Sequence, residues 1–171
     1  MCRSDAKLGR PPSARYHEGM ARPDPLEGLD HDHASLSEAL DALIEARRAG
    51  ATAETLGVHA ERLRDEFLDH FGDEEEHLFP ELAKLLPSTE PELDELRDAH
   101  DALCGLAVRI ASMSEEPNVD TGGDTQLDAL ISRLDAAYRK HARREIDVLR
   151  GAFAQLSPET RAELIEKTRK V

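Results

Sequence analysis

Read for apolar periodicity, the chain predicts four long amphipathic helices and one short one. A stripe at steps of three and four through Leu26, Leu29, Leu36, Leu40, Leu43 and Ala46 predicts a helix over about 26–49, ended by Gly50. A second begins near Thr52 and carries Leu56, Leu63, Phe67, His70 and Glu74 on one face. Pro80 is expected to bend or break it and leave Glu81–Leu86 as a short continuation. Pro87–Pro91 reads as a turn in which Ser88 or Thr89 caps the next helix. That third helix spans about 90–113 on Leu93, Leu96, Leu103, Ala107 and Ile110. After a loop over 115–124, marked by Pro117, Asn118, Gly122 and Gly123, a fourth runs from Asp124 to about Ala154 on Leu127, Leu130, Leu134, Tyr138, Val148 and Ala152. Ser157-Pro158-Glu159 opens a last helix to about Lys170. Residues 1–24, with Pro11, Pro12, Pro23, Gly9 and Gly19 and few large apolar groups, read as a flexible tail, and 25–171 as one domain. The expected fold class is all-α, an up-down-up-down four-helix bundle with a short C-terminal helix.

The stripes carry polar residues at matching places. His33 fills the one gap in the first, His100 fills the gap in the third, and His70 and His141 lie on the second and fourth. Taken singly, a histidine on an apolar stripe is ordinarily a hydrogen-bonded core residue. Short connections, however, make neighbouring helices antiparallel, so residues equidistant from a turn lie at one height. The midpoint of His33 and His70 falls between 51 and 52, that of His70 and His100 at 85, and that of His100 and His141 between 120 and 121. Each lies in a turn or at its edge, so all four imidazoles are expected at one level. Glu74 and Glu145 follow His70 and His141 by four residues, on the same helix face about 6 Å further along the axis. His33 with His70/Glu74 is thus echoed by His100 with His141/Glu145. Four imidazoles and two carboxylates at one depth point to a metal site rather than a buried polar network.

Other candidates carry less. His17 reads as solvated, His31 as facing away from His33, and His59 as a partly buried helix residue. His77 reads the same way, with an outer partner of the site as the alternative. Tyr138 reads as core, one turn before His141 and within reach of the site. Cys104 reads as core filler, with a thiolate ligand or redox-sensitive thiol as the alternative. Glu75 and Glu76 are expected to point off the stripe into solvent.

Composition narrows the function classes. Charged residues make up 34%, the net charge is -14, and aromatics are 4%. Such acidity argues against nucleic acid and against anionic membranes, both of which call for clustered Lys and Arg. Cys2 and Cys104 suggest no disulfide framework, no run of about 18 apolar residues exists, and the N-terminus lacks a signal-peptide core, so a cytoplasmic location is expected. No nucleophile triad or phosphate loop is legible.

The ligand set exceeds what one tetrahedral zinc uses and suits two ions bridged by the two carboxylates. Each ion would have two nitrogens and two bridging oxygens, with an oxide or hydroxide bridge and a position left open. Imidazole with carboxylate suits iron, with zinc or manganese also able to occupy it. The ferritin-type Glu-x-x-His motif needs two copies, and only Glu74-Glu75-Glu76-His77 matches. These residues resemble the hemerythrin-like (HHE cation-binding) domain family over about 26–155, most specifically in His70/Glu74 running into Leu78-Phe79-Pro80 and in His141/Glu145. The resemblance implies that His33, His70, His100 and His141 are terminal ligands and Glu74 and Glu145 bridging ones, in a non-haem di-iron centre for dioxygen or related small oxidants. Oxygen-carrying members have a second histidine on the third helix, where Cys104 stands here. One histidine fewer implies a more open centre. The expected function is binding or sensing of dioxygen or reactive oxygen species. The alternatives are a di-iron enzyme turning over peroxide or nitric oxide, and a structural metal-binding interaction domain. The expected partner is a small oxidant, with no nucleic acid and no membrane.

Overall fold

A computed structural model describes residues 25–114 and 125–168, with side chains described from His33 onward. Its elements are α1 (Pro25–Arg48), α2 (Ala53–Asp73), a π-helical turn (Glu74–Leu78), α3 (Phe79–Leu85), a 3-10 turn (Pro87–Thr89), α4 (Glu90–Ser114), α5 (Thr125–Gln155) and α6 (Pro158–Thr168). The described residues are all-helical, with no strand. No helix among them is long and apolar enough to cross a membrane. The expected tail over 1–24, the 115–124 loop, His17 and the last residues toward Lys170 lie outside the described residues, as do the side chains of Leu26, Leu29 and His31.

Local signals set the helix ends. Gly50 turns the chain out of α1 with φ 71°, a left-handed conformation that a side chain disfavours. Thr52 caps α2, its hydroxyl accepting from the Thr55 N–H at 3.2 Å. Ser157 does the same for α6, accepting from the Thr160 N–H at 3.2 Å. Thr89 departs from expectation: its hydroxyl donates back to the Leu86 carbonyl at 2.8 Å, closing the 3-10 turn rather than capping α4.

At Pro80 the regular ladder is interrupted and the expected short continuation appears as α3. The chain stays helical, because the ladder widens one turn earlier and the Phe79 N–H bonds to the Glu74 carbonyl, five residues back. A proline inside a helix removes one donor and crowds the preceding turn. The π turn absorbs both effects, and α3 resumes with Pro80 in its first turn.

The apolar stripes build two core clusters. One joins Leu36, Leu40 and Leu43 of α1, Leu56, Leu63, Phe67 and Phe71 of α2, Leu103, Ala107 and Ile110 of α4, and Leu127, Leu134 and Tyr138 of α5. The other joins Leu78, Phe79 and Leu82 with Leu93 and Leu96 of α4, Leu149, Ala152 and Phe153 of α5, and Leu164 of α6. Each fully buried side chain of this size contributes roughly 1.5–3 kcal/mol. On α2, α4 and α5 the residues between the clusters are polar, and the site forms there. Along α1 and α5 the contacts run in opposite directions: His33 meets Glu145, Asp41 meets Arg139 at 2.7 Å, and Arg47 meets Asp128 at 2.6 Å. The two outer pairs involve exposed carboxylates and add little stability, so packing carries the arrangement.

Phe67 is fully buried, stacks on Phe71 and lies 5.6 Å from the Tyr138 ring, so Phe67→Ala is expected to cost about 3–5 kcal/mol in denaturant unfolding. Val58, 61% exposed on the same helix, is the control: Val58→Ala should stay within roughly 0.5 kcal/mol of the parent.

Candidate metal centre

All six residues expected at the site come together. α1 supplies His33, α2 supplies His70, the start of the π turn supplies Glu74, α4 supplies His100, and α5 supplies His141 and Glu145. Ligand atoms of His33, His70, Glu74 and Glu145 lie within 4.8 Å of one another, and so do those of His100, His141 and Glu145. Glu145 belongs to both groups. Glu74 also spans them, with Oε1 3.4 Å from His70 Nε2 and Oε2 3.5 Å from His100 Nε2. Glu145 Oε2 lies 3.1 Å from His33 Nε2 and 3.0 Å from His141 Nε2. Two carboxylates therefore each stand between imidazoles from different helices.

The cluster is buried. Glu145 has 0% exposure, and His33, Glu74, His100 and His141 are all buried. Aromatic rings wall it. Phe71 stacks on His100 at 3.9 Å between centroids and 3° between planes, and meets His141 edge-on at 5.5 Å. The Phe79 ring also lies near His100, at 5.8 Å. Tyr138 donates its hydroxyl to the His33 backbone carbonyl at 3.0 Å, so it pins α1 at the level of the site instead of reaching an imidazole. Burial pushes the Tyr138 hydroxyl up to about 12, so it stays a donor.

Electrostatics sorts the protonation states. Burial, reinforced by the neighbouring His33 and His141, lowers His70 from 6.5 to about 4 against the pull of Glu145. Burial, with His141 beside it, lowers His100 to about 3. Both are neutral at pH 7, the form that ligates metal. Burial by itself would raise the Glu145 carboxyl, but the His141 and His33 imidazoles outweigh it and hold it well below the usual carboxylate range. The interior thus keeps an anion beside the neutral His70 and His100.

The polar atoms fit cations. Nε2 of His70, Nε2 of His100, Nε2 of His141 and Oε1 of Glu145 are buried and make no hydrogen bond among the described residues. A buried polar atom left so costs about 1–3 kcal/mol. Nε2 of His141 comes within 3.0 Å of Glu145 without a bonding angle, as donors do when they converge on a common point. The set is soft enough for a transition metal and too nitrogen-rich for calcium or magnesium.

A family model, the hemerythrin HHE cation binding domain, matches residues 24–153. The chain belongs to this hemerythrin family. The match spans α1 to α5 and every residue of the cluster. Comparison with curated proteins and with solved structures returns no match. As a hemerythrin HHE domain, the chain is read as a metal-binding one, and the His/Glu cluster is a set of side chains that could hold a metal ion.

The remaining candidates separate. His77, half-buried in the π turn, takes no part in the cluster. His59 lines a groove of about 240 Å³ with Ser35, Glu38 and Arg62, away from the site. Cys104 is half-buried against the first core cluster and lies outside both ligand groups. Burial and the Asp101 and Glu75 carboxylates raise its pKa, so it is a thiol and not a thiolate. Glu76 is exposed, as expected. Glu75 corrects the sequence reading. It does not point into solvent: its Oε1 lies 2.6 Å from His100 Nδ1, on the side of the ring opposite Glu74. The helical wheel missed it because the π turn shifts the register at this residue. The one sequence signal was Pro80, whose missing N–H forces the ladder to change upstream.

Two outcomes follow. His70 and His100 carry folded pKa values below the unfolded 6.5, so the unfolded chain binds more protons as pH falls. Their contribution to stability is complete above about pH 6.5 and is lost as pH drops through about 4 and then 3. The Glu145 shift acts in the same direction. The melting temperature of the metal-free protein should accordingly fall by roughly 10 °C between pH 6.5 and 4, read by circular dichroism. In a Cys2→Ser background, Cys104 should alkylate at pH 8 several-fold more slowly than free cysteine, read by mass spectrometry.

Proposed function

We propose that this chain is a non-haem di-iron protein that binds or senses dioxygen or reactive oxygen species, and that residues 25–171 form one domain. In this reading α1, α2 with its continuation α3, α4 and α5 make an up-down-up-down four-helix bundle, with α6 closing one end. His33, His70, His100 and His141 would be terminal ligands, and Glu74 and Glu145 would be shared between two ions. The observation that carries it is the double role of the two carboxylates, each within 3.5 Å of imidazoles from two helices. A single ion needs neither so many donors nor two shared ones.

Two iron ions held there supply redox equivalents and open positions for a small oxidant. The chain's own residues do the rest. Neutral His70 and His100 offer lone pairs without first losing a proton. Ionised Glu145 offsets cationic charge where no solvent reaches. Phe71 and Phe79 present apolar faces beside His100 and keep bulk water from that side. Two carboxylates would not fully offset two divalent ions, and the residual positive charge would favour an anionic ligand.

Zinc or manganese fits the same donors. A di-iron enzyme that turns over peroxide or nitric oxide shares the site, and kinetics separates it from a binder. The protein as purified, and after anaerobic loading with ferrous iron, should hold two iron ions per chain by elemental analysis. Oxygen or peroxide should then change its near-ultraviolet and visible absorption in stoichiometric amount. Continued peroxide loss beyond that of free iron would make it an enzyme, and absence of iron uptake would end the di-iron reading. Glu74→Ala should remove most bound metal, while Glu76→Ala should leave it intact.

A further inference from the structure

Neutral histidine has two tautomers, and only a bare nitrogen aimed inward can ligate. The His100 ring stacks on Phe71, parallel at 3.9 Å, and the Phe79 ring lies 5.8 Å from it. The stack on Phe71 fixes the plane of the ring but not which edge faces the cluster, because a half-turn flip within the same plane preserves the stacking contact. Nor does it fix which nitrogen carries the proton. Glu75 supplies both choices. Its carboxylate accepts from His100 Nδ1 at 2.6 Å, a short, charge-assisted bond. With the proton held on Nδ1, Nε2 is left bare and faces Glu74 Oε2 at 3.5 Å.

The other imidazoles lack this arrangement. The outer nitrogens of His33 and His141, Nδ1 in both, are buried and make no hydrogen bond among the described residues. Each of the described ion pairs of His33, His70 and His141 is to Glu74 or Glu145, inside the cluster. Among the described residues, only His100 meets a carboxylate from outside the cluster. The π turn makes this possible, since Glu74 and Glu75 are consecutive there and embrace opposite edges of one ring.

We propose that Glu75 is a positioning residue for the metal centre: it locks His100 in the Nδ1–H tautomer and orientation and raises the basicity of Nε2, so that the ion bound by His100, His141 and Glu145 is held more tightly. This rests on the metal-centre reading above. A carboxylate on the outer nitrogen of a ligating histidine is typically worth 10–100-fold in metal affinity. Glu75 is half-buried, with a side-chain exposure of 36%, so replacing it opens no core cavity.

The experiment has a metal-free arm and a metal arm. In the metal-free protein, nitrogen-15 NMR of the imidazoles should show His100 as the Nδ1–H tautomer, and Glu75→Leu should shift it toward Nε2–H. Glu75→Gln, which keeps an acceptor oxygen, should preserve the Nδ1–H form. In anaerobic titration with ferrous ion, Glu75→Leu should weaken one of two binding steps by about 10–100-fold, with Glu75→Gln between it and wild type and Glu76→Ala equal to wild type. An unchanged tautomer in Glu75→Leu, or unchanged binding steps, overturns the proposal. If Glu75→Leu does not fold, the near-isosteric Glu75→Gln decides, and wild-type iron affinity there overturns it. Failure of the wild type itself to bind iron would instead overturn the metal-centre reading, while the NMR arm still decides whether Glu75 orients the ring.

Discussion

The arrangement depends on one constraint: a carboxylate with no solvent exposure has to be held ionised in the interior by imidazoles. Moving a lone carboxylate from water into such surroundings costs several kcal/mol even after relaxation. Glu145 offsets this with His33 and His141, contributed by α1 and by its own helix. Turning Glu145 outward is not open to a residue on the inward face of α5 between Tyr138 and Val148, and the two imidazoles rather than its position keep it ionised. Helices α1 and α5 therefore meet at one register, and Tyr138 holding the His33 carbonyl adds a second tie at the same level.

Packing turns that constraint into a defined depth. The two apolar clusters lie on either side of the polar level. On α4 the second cluster ends at Leu96 and the first resumes at Leu103, with His100 between. On α5 the first ends at Tyr138 and the second resumes at Val148, with His141 and Glu145 between. On the second helix the first ends at Phe71 and the second resumes at Leu78, with Glu74 between. A slide of one helix by a turn would put an imidazole among leucines on one side and a leucine among imidazoles on the other. Both faults cost free energy, so the clusters and the polar level specify the same register.

This is why so much was legible beforehand. Stripe positions, turn midpoints and the His-x-x-x-Glu spacing all follow from 3.6-residue periodicity, and His33, His70, Glu74, His100, His141 and Glu145 converge as that periodicity requires. Helix ends were legible where a specific side chain sets them, as with Thr52, Ser157 and Gly50. What failed did so where the period itself changes. Around Glu74–Leu78 the ladder closes over five residues, so a wheel drawn at 100° per residue misplaces Glu75. Thr89 failed for a related reason: a threonine near a helix start has two local acceptor geometries to choose from, and the Leu86 carbonyl wins.

The π turn is best understood as the price of placing two consecutive carboxylates to use. In an α-helix neighbouring residues diverge by about 100°, so a glutamate beside an inward one points along the surface. Widening the turn lowers that angle, and it keeps Glu75 near enough to α4 to reach the far edge of the His100 ring. Pro80 favours this local geometry by denying the regular ladder a donor one turn downstream. The wider turn is less stable than regular helix, which is consistent with such turns occurring mostly where function requires them. Phe71 and Phe79 flank it, stack on the same imidazole and bury their faces in separate clusters, so the apolar packing that supports the irregular turn also holds the ring that the turn serves. Sequence, ladder geometry and site chemistry are coupled at this one segment, and a change to any of them would be felt at His100.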